Sequence, residues 1–283
     1  MTMMQSLLTL QADASEKGLG AAIMQAGQPI AYASRALTEA ETRYAQIEKE
    51  LLAVTFGLER FHQYTYGRKV IVQSDHKPLE IIAKKNMHQA PKRLQRLILR
   101  LQTYDVQIIY HPGNKMYIAD TLSRAYLPAT KEDEKQVEME QVNLLDHLPI
   151  AKPLLEKLKQ CTADDHMMQE LHATVMNGWP MRQDVQSSVT PYFHIRDELS
   201  ISEGLIFRGE RVVIPKSMRK GMIERLHSSH LGENSCLKRA RECLYWPNMN
   251  SEVKDYIKKC DVCRSMGTRQ QKEPLHQHEV PDS

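Results

Sequence analysis

Two aspartates stand directly after short apolar runs: Asp13 follows the run Leu7 to Ala12, and Asp75 follows Val70-Ile-Val-Gln-Ser. Each run reads as a β-strand, rich in branched residues and bounded by turn formers. If the two strands lie side by side and parallel, both carboxylates reach one sheet edge, where ligand sites of open α/β sheets gather. Neighbouring carboxylates repel, and divalent cations are the natural counterweight. Strand-end aspartates are also common turn formers, so the pair alone supports either reading. A second constellation lies near the other end of the chain. His227-x-x-His230 and Cys260-x-x-Cys263 are separated by 29 residues. Histidines three apart on a helix share a face, and a Cys-x-x-Cys turn presents two thiolates to one ion. Two nitrogens and two sulfurs suit a single tetrahedral Zn²⁺.

The elements that must carry these residues follow from periodicity. Gly18-Leu-Gly-Ala-Ala-Ile-Met and Pro29-Ile-Ala-Tyr-Ala-Ser read as two further strands around the turn at Ala26-Gly27-Gln28. Tyr44, Ile47, Leu51, Val54, Leu58 and Phe61 form one apolar helical stripe that ends before Gly67. Glu48 and Glu50 flank that stripe by similar angles, and helical geometry does not choose between them. From Pro91 a second helix buries Leu94, Leu97, Ile98 and Leu101 and gathers Lys92, Arg93, Arg96 and Arg100 on its other side, with Lys84 and Lys85 shortly before it. Val106–Tyr110 reads as a strand, His111-Pro-Gly-Asn as a turn and Ile118–Arg124 as a short helix. This order is that of an α/β fold with a mixed sheet. Leu154–Met176 reads as one helix, Leu199–Val213 as a small hairpin region, and the remainder to about Met266 as mostly helical.

Bulk properties set the frame. The chain has 283 residues, 41% of them hydrophobic, and a formal net charge of +3. Residues 1–125 hold 16 Lys and Arg against 11 Asp and Glu, residues 126–195 hold 6 against 11, and residues 196–283 hold 16 against 13. Two basic blocks around an acidic middle suit two polyanion-facing domains and a solvated connector. No apolar run approaches membrane-spanning length. Five cysteines, an odd number, argue for metal ligation in a reducing compartment and against a disulfide framework.

The wording around the aspartates is more specific. Asp13-Ala-Ser with Gly18-x-Gly20-Ala, Ile30-Ala-Tyr-Ala-Ser-Arg, Glu48-Lys-Glu-Leu-Leu-Ala, Ser74-Asp-His-Lys-Pro-Leu and Ala119-Asp-Thr-Leu-Ser-Arg occur in that order. This string resembles the ribonuclease H domain of gypsy-type LTR retrotransposons over residues 7–125. Leu231-Gly-Glu, Tyr245-Trp-Pro-Asn-Met and Val253-x-x-Tyr-Ile-x-x-Cys resemble the N-terminal zinc-binding domain of retroelement integrases, although the His-x-x-His interval is shorter than in many retroviral integrases.

The resemblance implies a ribonuclease H-like mixed sheet with flanking helices (1–125), an acidic linker with a helix (126–195), a small, mostly helical zinc-binding domain (196–267) and a disordered tail (268–283). It implies catalytic carboxylates Asp13, Glu50, Asp75 and Asp120 holding two Mg²⁺ ions, with Glu50 chosen because the family's glutamate directly precedes Leu-Leu-Ala. Glu48 is then expected in solvent. Related enzymes place a histidine about ten residues before the last aspartate, which makes His111 a candidate. The implied substrate is an RNA–DNA hybrid tracked by Lys84, Lys85, Lys92, Arg93, Arg96 and Arg100, with DNA and the polymerase and integrase parts of a parent polyprotein as further partners. His227, His230, Cys260 and Cys263 take one Zn²⁺, and Cys161, Cys236 and Cys243 are left as packing residues. No Tyr-x-Asp-Asp polymerase motif is present. The alternative is an inert remnant that serves as a binding or assembly module.

Overall fold

The computed structural model describes residues 7–84, 90–130 and 144–266. A five-stranded sheet in the order β3-β2-β1-β4-β5 organises the first half. Its strands are β1 (Leu8–Ala14), β2 (Gly18–Gln25), β3 (Gln28–Ala36), β4 (Lys69–Ser74) and β5 (Asp105–Tyr110). The first three run antiparallel as a meander, and β4 joins β1 in parallel, as β5 joins β4. The parallel joins require crossovers. The first carries α1 (Glu39–Thr42), α2 (Gln46–Arg60) and α3 (His62–Thr65), and the second carries α4 (Lys77–Lys84) and α5 (Lys92–Leu101). After β5, α6 (Tyr117–Arg124) returns to the sheet.

Helix α2 covers one face because Leu51, Val54 and Leu58 meet Leu10, Ala12, Ala21 and Val70, all buried. Helix α6 covers the other. A Cβ at Gly20 would stand 2.3 Å from the Ala119 carbonyl oxygen and 2.4 Å from Ser123 N, so only glycine lets α6 lie this close to β2. This contact sets Asp120 and Ser123 beside Asp13, which pairs with Gly20 across the sheet.

The second half begins with α7 (Lys152–Asp164) and α8 (His166–Asn177). The single helix expected over Leu154–Met176 is broken at Asp165, whose carboxylate accepts the Met168 N–H at 3.1 Å and starts a new helix. A four-stranded sheet follows in the order β6-β7-β8-β9: β6 (Leu199–Ser202), β7 (Leu205–Arg208), β8 (Arg211–Val213) and β9 (Leu244–Tyr245). Around it lie α9 (Lys216–His227), α10 (Glu233–Cys243), α11 (Met249–Lys258) and α12 (Asp261–Met266).

The region expected as a solvated linker is largely packed where it is described. Leu144, Leu145 and Leu158 share a buried cluster with Phe207, Leu237 and Trp246, while Met168, Leu171, Tyr192 and Ile195 share another with Ile206 and Tyr245. Its acidic charges stand outside an apolar stripe, and the stripe seeks a partner. Backbone bonds also join the halves: Ile201 N–H donates to Arg43 O at 2.9 Å, and Lys92 N–H donates to Glu210 Oε1 at 2.9 Å. The tail expected from residue 268 lies outside the described residues.

Candidate metal centres

The parallel register places the first site. Gln11 of β1 pairs with Gln73 of β4, and their side chains hydrogen-bond at 3.0 Å. Two residues further along each strand, on the same face, stand Asp13 and Asp75. Glu50 reaches them from α2, and one oxygen from each of Asp13, Glu50 and Asp75 lies within 4.8 Å of the others. Asp120 stands at the rim, with Oδ1 accepting from Arg124 at 2.8 and 2.9 Å. It is outside that tight trio, yet close enough for its charge to act on Asp13 and Asp75.

Each carboxylate has a positioning partner. Ser123 Oγ donates to Asp13 at 2.6 Å, and Gln46 Nε2 donates to Glu50 at 2.7 Å and to the Ala14 carbonyl at 2.9 Å. A Cβ at Gly113 would stand 2.8 Å from Asp75 Oδ2, so the turn after His111 passes close against that carboxylate. His111 is placed by its N–H, which donates to Ser74 O at 2.8 Å and extends the pairing of β4 with β5.

The electrostatics favour neutralisation. Burial, then the charges of Asp75 and Asp120, push Asp13 up to about 6 against the hydrogen bond from Ser123. Burial, with Asp13 and Asp75 adding to it, holds Glu50 well above the ordinary glutamate range. Asp75 is raised chiefly by burial. Glu50 Oε2 is buried with no hydrogen-bond partner. A divalent cation would satisfy that oxygen and relieve all three shifts, so the residues fit the ion they are expected to hold.

Glu48 is not in solvent. It is buried, accepts the Ala45 N–H at 2.9 Å at the start of α2, and pairs with Arg93 at 3.4 Å. Arg93 is correspondingly buried, its guanidinium 4.6 Å above the Tyr44 ring, and is spent inside the fold instead of facing a polyanion. Arg100 pairs with Glu59 at 2.6 Å. Lys92 is half-buried, Arg96 is exposed, Lys84 closes α4, and Lys85 lies outside the described residues. The basic row therefore does not form one continuous face, because two of its arginines meet acidic residues of α2.

Sequence reasoning missed the positioning residues. Ser123 and Arg124 belong to the same Ala119–Arg124 string as Asp120, and Gln46 sits one helical turn before Glu50, so helix spacing could have found it. His76, directly after Asp75, is half-buried with Nε2 unpartnered, and burial lowers its proton affinity against the pull of Asp197 and Asp75.

The second site assembles from two local pairs. His227 closes α9, and His230 follows in a turn with φ +47°. Cys260 and Cys263 straddle the start of α12. Cys263 Sγ lies 3.3 Å from His227 Nε2 and 3.6 Å from His230 Nδ1, and Cys260 Sγ lies 3.4 Å from His230 Nδ1. Ordinary zinc–nitrogen and zinc–sulfur lengths at a tetrahedral angle give N···S edges of about 3.6 Å, so the four groups fit one Zn²⁺. Cys236 is fully buried beside this set, 3.8 Å from His227 Nδ1, with its thiol donating to Leu231 O at 3.1 Å. Trp246 is also fully buried and donates to Glu252 at 3.0 Å, a core residue of this region.

Comparison with known proteins matches both halves. The model of the RNase H-like domain found in reverse transcriptase matches residues 4–104, and that of the integrase zinc binding domain matches residues 214–269. The retrovirus-related Pol polyproteins from transposons 297 and gypsy of Drosophila melanogaster are 38% identical over 125 residues and 36% identical over 126, each alignment covering 44% of this chain and 12% of the relative. The transposon Tf2-3 polyprotein of Schizosaccharomyces pombe aligns over 279 residues at 22% identity, covering 94% of this chain and 20% of the relative. The chain thus spans a fifth or less of the length of these relatives. It carries an RNase H-like domain of the reverse-transcriptase kind together with an integrase zinc-binding domain, and it is a homologue of the Pol polyproteins of gypsy and related transposons.

Proposed function

We propose that the RNase H-like domain is a metal-dependent endonuclease that cuts the RNA strand of RNA–DNA hybrids, and that the C-terminal domain is held together by one Zn²⁺. The observation that carries the nuclease reading is the convergence of Asp13, Glu50 and Asp75 from three separate elements within 4.8 Å, with Asp120 at the rim. Four carboxylates suit two Mg²⁺ ions, which when bound supply an activated water and charge stabilisation at the leaving 3′ oxygen, giving 5′-phosphate ends. The chain's own residues hold the geometry. Ser123 fixes Asp13, Gln46 fixes Glu50, and Arg124 holds Asp120 at the rim. The shared register of β1 and β4 keeps Asp13 and Asp75 level. This rigidity aligns a phosphodiester without reorganisation during reaction. His111 is the candidate proton carrier, since the turn that follows it borders Asp75.

The exposed Arg96 and the half-buried Lys92 remain candidates for sequence-independent phosphate contact. Hybrid cleavage in Mg²⁺ by the full chain, compared with Asp75→Asn, tests the assignment. A loss of about a thousandfold or more in the variant is expected, in line with the electrostatic contribution of such groups. Equal cleavage by both proteins would defeat the catalytic reading and leave an inert binding module.

A further inference from the structure

A cleft of about 480 Å³ opens beside the carboxylates, between the RNase H-like sheet and the segment that joins it to the zinc-binding domain. Its near wall includes Ala14, Gln46 and Arg124. Ala14 is the chain neighbour of Asp13, Gln46 donates to Glu50, and Arg124 pairs with Asp120. The cleft is therefore continuous with the site already described. Its far wall comes from the joining segment, through Gly178, Trp179, Arg196 and Asp197.

The lining chemistry is specific. Four cations (Lys17, Lys49, Arg124 and Arg196) face two anions (Glu16 and Asp197), directly beside a cluster of carboxylates. Lys49 is buried, and its ammonium donates to the Glu16 carbonyl at 3.3 Å. Burial lowers its proton affinity, against the pull of neighbouring glutamates. Three aromatic rings, Tyr44, Tyr126 and Trp179, share the walls, and Trp179 Nε1 is a buried donor with no acceptor. Cations alternating with rings are what a polynucleotide strand meets in single-strand grooves, where phosphates take the charges and bases take the ring faces. The volume suits a group of nucleotide size and excludes a duplex.

We propose that this cleft is a single-strand subsite, in which the segment joining the two domains grips one unpaired nucleotide of the strand that continues from the carboxylate centre, with Trp179 and Arg196 as its contributed contacts. The proposal rests on the nuclease reading for the origin of the strand, and its test does not require cleavage. Trp179 and Trp246 are the two tryptophans of the chain, and Trp246 is sealed in the core. A thymidine octamer of DNA, which a hybrid nuclease does not cut, is titrated into the full zinc-loaded chain while tryptophan emission is followed. Saturable quenching is expected, absent in Trp179→Phe. The double variant Lys17→Gln with Arg196→Gln is expected to weaken binding about tenfold and to flatten the log–log salt dependence by about 1.4, or 0.7 for each lost phosphate contact on a single strand. An unchanged salt slope, or quenching that survives Trp179→Phe, would overturn the subsite. So would faster hybrid cleavage by the double variant, because the joining segment would then be an obstruction. If hybrid cleavage fails while quenching and the salt slope behave as expected, the nuclease reading falls and the subsite stands.

Discussion

The two ion-binding clusters are built in opposite ways. The carboxylate centre gathers residues far apart in sequence, and strand register, the α2–sheet packing and the close approach of α6 through Gly20 hold it in place. Its scaffold has an apolar core independent of the cluster, and the cluster itself is a repulsive burden on that scaffold. The His–Cys centre joins two local pairs at the end of α9 and around the start of α12, within a region of short strands and helices. There the ion links elements that share few other ties. One centre is a cost that the fold carries for chemistry, and the other contributes to the fold itself.

The largest expected effect follows from that contrast. Stripping zinc from the full chain is expected to melt residues 214–266, since structural zinc contributes on the order of 10–16 kcal/mol in small modules. The RNase H-like half should keep its own transition. Two calorimetric transitions that respond equally to a chelator would break the comparison. Next comes Gly20→Ala. Its methyl would press on the backbone of α6, and a loss of about 1–3 kcal/mol is expected, together with reduced cleavage as Asp120 moves outward. Denaturant unfolding and a cleavage rate on the same variant check both halves of that statement.

A smaller effect of opposite sign is expected for Asp13→Asn. The native carboxyl titrates at about 6 and the ordinary one at 3.8, so the native state holds its proton more tightly. Ion-free stability should therefore fall as pH rises from about 4 to 6. Removing the charge is expected to stabilise the ion-free protein by about 2 kcal/mol at pH 7 and to leave it unchanged below pH 4. A variant less stable than the parent at pH 7 would show that the cluster is not under repulsion. Cys236→Ala should matter least for metal content. Zinc stoichiometry is expected to stay at one, with stability reduced by about 1 kcal/mol through the lost thiol packing. A fall in zinc content would instead make Cys236 a ligand.

Much of this arrangement was legible in the chain. Asp13 and Asp75 announce themselves by ending apolar runs, and the His–Cys set by its spacing. The choice of Glu50 over Glu48 was not legible from periodicity, because both flank the same stripe. It is settled by where Glu48 goes, onto the Ala45 N–H and Arg93, a partner 45 residues away. For the same reason Arg93 looked like a surface cation. The joining segment was hidden by composition: its acidic residues suggested a tether, while Leu158, Met168, Leu171 and Tyr192 were spaced to pack against strands that come later in the chain. Local pattern reveals a helix stripe, and only the tertiary fold reveals what covers it.

The most direct test of the central claim is Mn²⁺ binding, followed by the loss of the free-ion electron paramagnetic resonance signal, in the zinc-loaded chain and in Glu50→Gln. Saturable binding that weakens as the pH is lowered through 6, and that drops at least tenfold in the variant, is the expected result. Equal binding by the two proteins would contradict the account, because the buried, unpartnered oxygen of Glu50 would then hold no cation.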